Sequence, residues 1–150
     1  MIEIISMQKE HLDDVYKIEE NAFSIPWSKK ELEKDAFLNK LSIYLVALYN
    51  NEIVGYVGMW HVVNEGHITN IAVKNEYRNQ GIGDKLIKEL INIAKEKEMI
   101  GITLEVRMNN LSAQKLYSKN GFKVEGIRKN YYKDTREDAI IMWKYFAGNA

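Results

Sequence analysis

The chain has no cysteine among its 150 residues. Disulfides, thiolate metal sites and a cysteine nucleophile are therefore excluded from the start. Proline occurs once, at Pro26, and nothing reads as an interdomain hinge. Neither sign of charge is in excess, since Lys+Arg and Asp+Glu both number 21. Whole-molecule electrostatics thus give no case for direct nucleic-acid binding or for a membrane surface. No apolar run approaches the ~20 residues of a spanning helix. The start, Met1-Ile2-Glu3-Ile4-Ile5, lacks the basic and long apolar regions of a signal peptide, so a cytoplasmic protein is expected. No repeat or low-complexity tract is present. What is there is ordinary for a globular chain, 46% hydrophobic and 28% charged. The length predicts one domain over residues 1–150, large enough for a core of its own.

Taken in order, Ile2 to Ile5 reads as a short strand. From Gln8 to Ala22 the apolar positions Leu12, Val15, Ile18 and Ala22 recur at helical spacing. Ser28 and Glu31 form a capping-box pattern for a second helix, with Trp27 and Leu32 placed as a hydrophobic staple. The loop Phe23–Ser28 is also positioned to close over a ligand. Ser42 to Tyr49 and Ile53 to Val63 predict a hairpin turning at Asn50-Asn51-Glu52. His67 to Val73 is the next strand. A helix from Asp84 to about Glu98 puts Leu86, Ile87, Leu90, Ile91 and Ala94 on one face. Gly101 ends it, and Ile102 to Arg107 alternates as a strand, with Thr103, Glu105 and Arg107 on the polar face. A short helix follows Asn109-Asn110 and ends at Asn120-Gly121. Phe122 to Tyr132 and Asp138 to Phe146 read as two strands joined by Lys133–Glu137. The order β-α-α-β-β-β-α-β-α-β-β predicts a mixed α+β fold. Its central sheet is mostly antiparallel, with one parallel pair at the β-α-β crossover and helices on both faces.

The stretch between the strand ending at Val73 and the long helix carries the first chemical signal. Arg78-Asn79-Gln80-Gly81-Ile82-Gly83 leads from Ile71-Ala72-Val73 into the helix at Asp84. Two glycines one residue apart free the backbone to turn several N–H groups toward an anion at a helix N-terminus. The dinucleotide fingerprint fails, because its third glycine position is Leu86. No G-x-x-x-x-G-K-[ST] string exists either. A plain glycine-rich strand-to-helix turn is the competing reading of these six residues.

The pattern R-x-x-G-x-G between strand and helix resembles the acyl-CoA pyrophosphate loop of the GCN5-related N-acetyltransferases. The order of elements is similar to that fold along essentially the whole chain. Leu104-Glu105-Val106-Arg107, Asn110, Leu116-Tyr117 and Asn120-Gly121-Phe122 resemble the family's later motifs. Phe23–Ser28, Arg128–Tyr132 and Arg136–Met142 resemble the branch that acetylates ribosomal-protein alanine termini. The resemblance implies acetyl-CoA as co-substrate and no metal. It implies a protein or peptide N-terminus as partner, that of ribosomal protein S18, and a chain acting as a monomer or weak dimer. Ile71, Ala72, Val73, Arg78, Asn79, Gln80, Gly81, Ile82, Gly83, Asp84 and Asn110 would hold the cofactor, and Tyr131 and Tyr132 would border the acceptor.

The chemistry asks for a neutral amine, a stabilised oxyanion and a protonated leaving thiolate. Glu105 is the candidate base; the alternative is a surface carboxylate paired with Arg107. Tyr117 is the candidate acid, the alternative being a core aromatic beside Leu116. Oxyanion donors are expected from backbone N–H groups of Ile71-Ala72-Val73, where the parallel pair splays open. Asn110 suits a helix N-cap equally well. His11, His61 and His67 do not form a metal spacing, and a structural role is expected of each, with a minor part in amine binding open to Glu65 and His67. Met99, Met108 and Met142 read as core filler. Three functions stay open: an α-amine acetyltransferase, an acetyltransferase for lysine side chains or small amines, and a non-catalytic acyl-CoA-binding module. Glu105 and Tyr117 together argue against the third.

Overall fold

The computed structural model describes residues 1–146. One seven-stranded sheet runs through them in the order β1-β2-β3-β4-β5-β7-β6. Its strands are β1 (Ile2–Ser6), β2 (Ser42–Tyr49), β3 (Glu52–Val62), β4 (Glu65–Val73), β5 (Gly101–Arg107), β6 (Lys123–Arg128) and β7 (Ala139–Tyr145). Four α-helices among the described residues complete it: α1 (Leu12–Ala22), α2 (Lys29–Glu33), α3 (Ile82–Glu96) and α4 (Leu111–Lys119). Of the described strand pairs, only β4 and β5 run parallel, because α3 must carry the chain back across the sheet between them.

Local chemistry explains the element ends. Ser28 caps α2 by accepting from Glu31 N–H at 3.1 Å, while the Glu31 carboxylate accepts from Ser28 N–H at 2.9 Å. The helix then loosens into a π-helical turn over Lys34–Leu38. At the other long helix, Gly81 takes φ +80° and starts α3 two residues before the expected Asp84. Leu86, Ile87 and Leu90 on its apolar stripe are fully buried, and each contributes up to ~2–3 kcal/mol by removal from water.

The helices cover both faces. Beneath α3 and α4, Val54, Val57, Met59, Ile102, Leu104 and Met142 close one core. Beneath α1 and α2, Val15, Ile18, Leu32, Tyr44, Val46 and Tyr56 close the other. Met99 and Met142 are buried as expected, and Met108 packs at the edge.

One strand ends early. β6 stops at Arg128 rather than reaching Tyr132. Asn130 takes φ +53°, and its N–H donates to the Asp138 carboxylate at 2.9 Å. That turn sends Tyr131 and Tyr132 toward the middle of the sheet instead of along its edge.

Candidate active site

The site begins with a fault in the sheet. β3 pairs Gly58 with Asn70 and Met59 with Ile68, so Thr69 is an extra residue on β4. β4 and β5 are paired only from Glu65–Gly101 to His67–Thr103. Past that point the strands part, and Ile71, Ala72 and Val73 face β5 with no ladder between them. The expected splay is present where the expected oxyanion donors lie.

The gap widens into a groove of about 940 Å³. Its walls include Ile71 of β4, Glu105 of β5, and Asn110 and Tyr117 of α4 and its cap. The rim is made by Phe23, Ser24 and Trp27 on one side and by Tyr131, Tyr132 and Asp134 on the other. The two rims touch, since Ser24 Oγ donates a hydrogen bond to Asp134 Oδ2 across the opening. Arg107 holds Asp134 from below with two hydrogen bonds of 2.8 and 3.0 Å and lays its guanidinium 4.0 Å from the Tyr132 ring centre. The carboxyl of Asp134 is pulled down to about 2, first by Arg107 and then by Ser24.

Glu105 is therefore not the partner of Arg107. His67 Nε2 lies 3.2 Å from Glu105 Oε2, and the Tyr131 hydroxyl donates to Oε1 at 3.3 Å. The hydrogen bond from His67 is the largest influence holding the Glu105 carboxyl below its ordinary value, against the opposing effect of burial. The result is a carboxylate that stays charged at neutral pH, half-enclosed, with one oxygen toward the groove. Tyr117 is buried, and burial pushes its phenol well above the usual value. It keeps its proton until a strong base arrives. Its ring also packs 5.8 Å from Phe122, so it fills the core as well as the wall.

At the helix end, Asn79 and Gly81 both take positive φ, at 62° and 80°. Nothing lies within 4 Å of where a Gly81 Cβ would be, so the turn faces open space at the start of α3. That is a fit for a phosphate on backbone N–H groups. Arg78 folds back with Nε 3.5 Å from the Val73 carbonyl, and with Val73 it borders a second, smaller hollow of about 240 Å³. Gln80 donates to the Glu76 carbonyl at 3.4 Å. Ile82 is core, and the Asp84 carboxylate is held by Lys88 one turn on along α3 at 2.7 Å and by Asn120 at the end of α4 at 2.9 Å. The Ala72 side chain is likewise core, under α1. Asn110 does cap α4, accepting from Ala113 N–H at 3.1 Å, while lining the groove.

Sequence reasoning left His67 a structural role or a minor part in amine binding, and missed that it stands beside the base. One residue escaped it altogether. Glu19, 2% exposed, sits at the groove floor between α1 and β4. It accepts from the Tyr56 hydroxyl, from Asn70 Nδ2 at 3.0 Å and from Trp27 N–H at 3.0 Å. It thereby ties the Phe23–Ser28 loop to the split strand.

Fold and groove together define a transferase that carries an acyl group to an amine. The chain belongs to the acetyltransferase (GNAT) family, whose pattern matches residues 12–122. A Bacillus subtilis (strain 168) protein provisionally named ribosomal protein bS18-alanine N-acetyltransferase is 44% identical over 138 residues, covering 92% of this chain and 91% of the relative. The crystal structure of the ribosomal-protein-S18-alanine N-acetyltransferase from Escherichia coli superposes with a TM-score of 0.90 at 34% identity, covering 99% of this chain and 97% of that one. A streptothricin acetyltransferase, so assigned provisionally, from Bacillus anthracis was solved in complex with acetyl coenzyme A. It superposes with a TM-score of 0.81 at 28% identity, over 97% and 99% of the two chains.

Proposed function

We propose that this chain transfers acetyl from acetyl-CoA to the α-amine of an N-terminal alanine, that of ribosomal protein bS18, by direct attack in a ternary complex. The observation that carries the chemistry is the meeting of Glu105 and Tyr117 on the walls of one groove where β4 leaves β5. The acceptor is carried by the names of the relatives.

Each role follows from the position of its group. The turn Arg78–Asp84 and the first N–H groups of α3 seat the pyrophosphate of acetyl-CoA, and Asn110 borders the thiol arm. The freed β4 edge at Ile71–Val73 offers N–H donors where the thioester oxygen gains charge. Glu105 takes a proton from the acceptor ammonium, directly or through a water, and leaves a neutral amine to form the C–N bond. Tyr117 gives its proton to the departing thiolate as the C–S bond breaks, and the proton that the new C–N bond leaves on the cationic nitrogen passes through water to the phenolate. Tyr131 and Tyr132 border the entry of the peptide. With no cysteine to form an acyl-enzyme, direct transfer needs the fewest steps. No metal takes part in this scheme.

An α-amine has pKa near ~8 and a lysine amine near ~10.4, so at pH 7 about one terminus in ten is neutral against roughly one lysine in two thousand. The difference, about 3 kcal/mol, favours a chain terminus at a site with one modest base. The chain acts as one N-acetyltransferase domain over residues 1–150, in the cytoplasm, as a monomer or weak dimer, without direct contact to nucleic acid or membrane.

The test is a pair of kcat/KM measurements. A peptide beginning with alanine and copying the bS18 terminus should outcompete the same peptide with a blocked terminus and a free lysine. If the blocked, lysine-bearing peptide is the better substrate, acetylation of lysine side chains or small amines replaces this reading.

A further inference from the structure

The two oxygens of Glu105 face different surroundings. Oε1 meets Tyr131, which lines the groove, while Oε2 meets His67, which stands behind the groove wall. The His67 side chain is 34% exposed and that of Glu105 only 13%. The base is thus sheltered, and its imidazole partner is open to solvent.

The strand register fixes this pair. His67 stands opposite Thr103 in the last rung of the parallel ladder, and Glu105 follows two residues later on the same face of β5. The Trp60 ring backs the imidazole edge-on with centroids 6.1 Å apart. His67 is therefore held on one side by an aromatic ring and on the other by the carboxylate.

We infer that His67 aims the catalytic base: its N–H fixes Oε2 so that Oε1 points at the acceptor. The inference rests on the assignment of Glu105 as base. His67 touches neither reactant and acts only through Glu105, as a positioning residue. The same hydrogen bond holds the carboxyl in its charged, proton-accepting form.

Other groups near the pair have to be reckoned with. Arg128 of β6 adds positive charge at Glu105 and stands 5.7 Å from the Tyr131 ring centre. Tyr131 is held above its usual value by burial and then by Glu105, so it stays protonated at neutral pH. Glu65 lies two residues before His67 on β4, and His61 of β3 stands opposite Gly66.

The experiment compares His67→Gln and His67→Ala with the wild type in single turnover at saturating acetyl-CoA and peptide. Gln keeps a donor but cannot change charge. His67→Gln should stay within a few-fold of the wild-type rate at neutral pH, because the amide still donates to Oε2. His67→Ala should lose about tenfold or more in rate, with acetyl-CoA affinity unchanged. In the free chain, carboxyl-carbon NMR should show Glu105 titrating at higher pH in His67→Ala than in wild type. That readout needs no turnover, so it separates failure of this inference from failure of the acceptor assignment. A loss in His67→Gln as large as that in His67→Ala, a wild-type rate in His67→Ala, or an unmoved Glu105 resonance overturns it.

Discussion

A Cβ placed on Gly83 would stand 3.2 Å from Cδ2 of Leu116. The second glycine of the turn therefore lets α3 lie close against α4, whereas Gly81, with φ +80° and open space around it, shapes the turn itself. Gly81→Asp should abolish acetyl-CoA binding in calorimetry, because a charge enters the phosphate seat. Gly81→Asn, which tolerates positive φ, should retain most of it. Gly83→Ala should bind normally and lose about 1 kcal/mol of stability from overpacking. Equal affinity in Gly81→Asp and wild type would remove the loop from the site.

Glu105→Gln tests the base. It keeps the size of the side chain and a hydrogen-bonding group for His67 and Tyr131. It should lower kcat on the order of a hundredfold with little change in acetyl-CoA affinity. Full activity near neutral pH would leave Glu105 as a structural partner of His67 alone.

The rim contact should be acid-sensitive. The folded Asp134 carboxyl titrates at about 2, below its ordinary 3.8. A lowered value means that the contact stabilises the fold above the ordinary range and is lost as pH falls through about 2. Hydrogen exchange at Phe23–Trp27 should accelerate over that interval in the wild type. In Asp134→Asn the loop should exchange faster already at pH 7, and the KM for the peptide should rise more than that for acetyl-CoA. Unchanged exchange in the variant would separate the rim from the acceptor.

Glu19 holds three donors in a buried pocket. Glu19→Ala strands the Tyr56 hydroxyl proton and the Trp27 N–H, and takes one of two acceptors from the Asn70 amide, which still reaches the Tyr56 hydroxyl at 3.2 Å. Urea unfolding should show a loss of about 3 kcal/mol, since each buried orphan costs ~1–3 kcal/mol. Glu19→Gln should lose less, because its amide oxygen still accepts. A neutral outcome for alanine would mean that water replaces the carboxylate.

The sheet and its crossover were legible because hydrophobic period and turn chemistry are local. Ser42–Tyr49 is bounded as its β-branched and aromatic content predicts, and the Ser28 capping box is where its spacing places it. β6 was overread because Asn130-Tyr131-Tyr132 has strand-like composition, while the turn there depends on Asp138 across the hairpin. Glu19 was invisible for a similar reason. A carboxylate after Ile18 reads as a solvated helix face, and partners as distant as Tyr56 and Asn70, 37 and 51 residues on, are what enclose it. Arg107 illustrates the limit of strand patterns: alternation gave its face correctly, yet its partner Asp134 comes from a turn.

The extra residue at Thr69 has a meaning for how such a protein ages under mutation. Deleting it would put β3 and β4 back in step and draw β4 along β5 past His67, completing a ladder that now stops at its third rung. The more regular sheet would bury its own N–H groups and close the groove. Most routes to a firmer fold lead away from function here, because the break in the hydrogen-bond pattern is the feature being preserved.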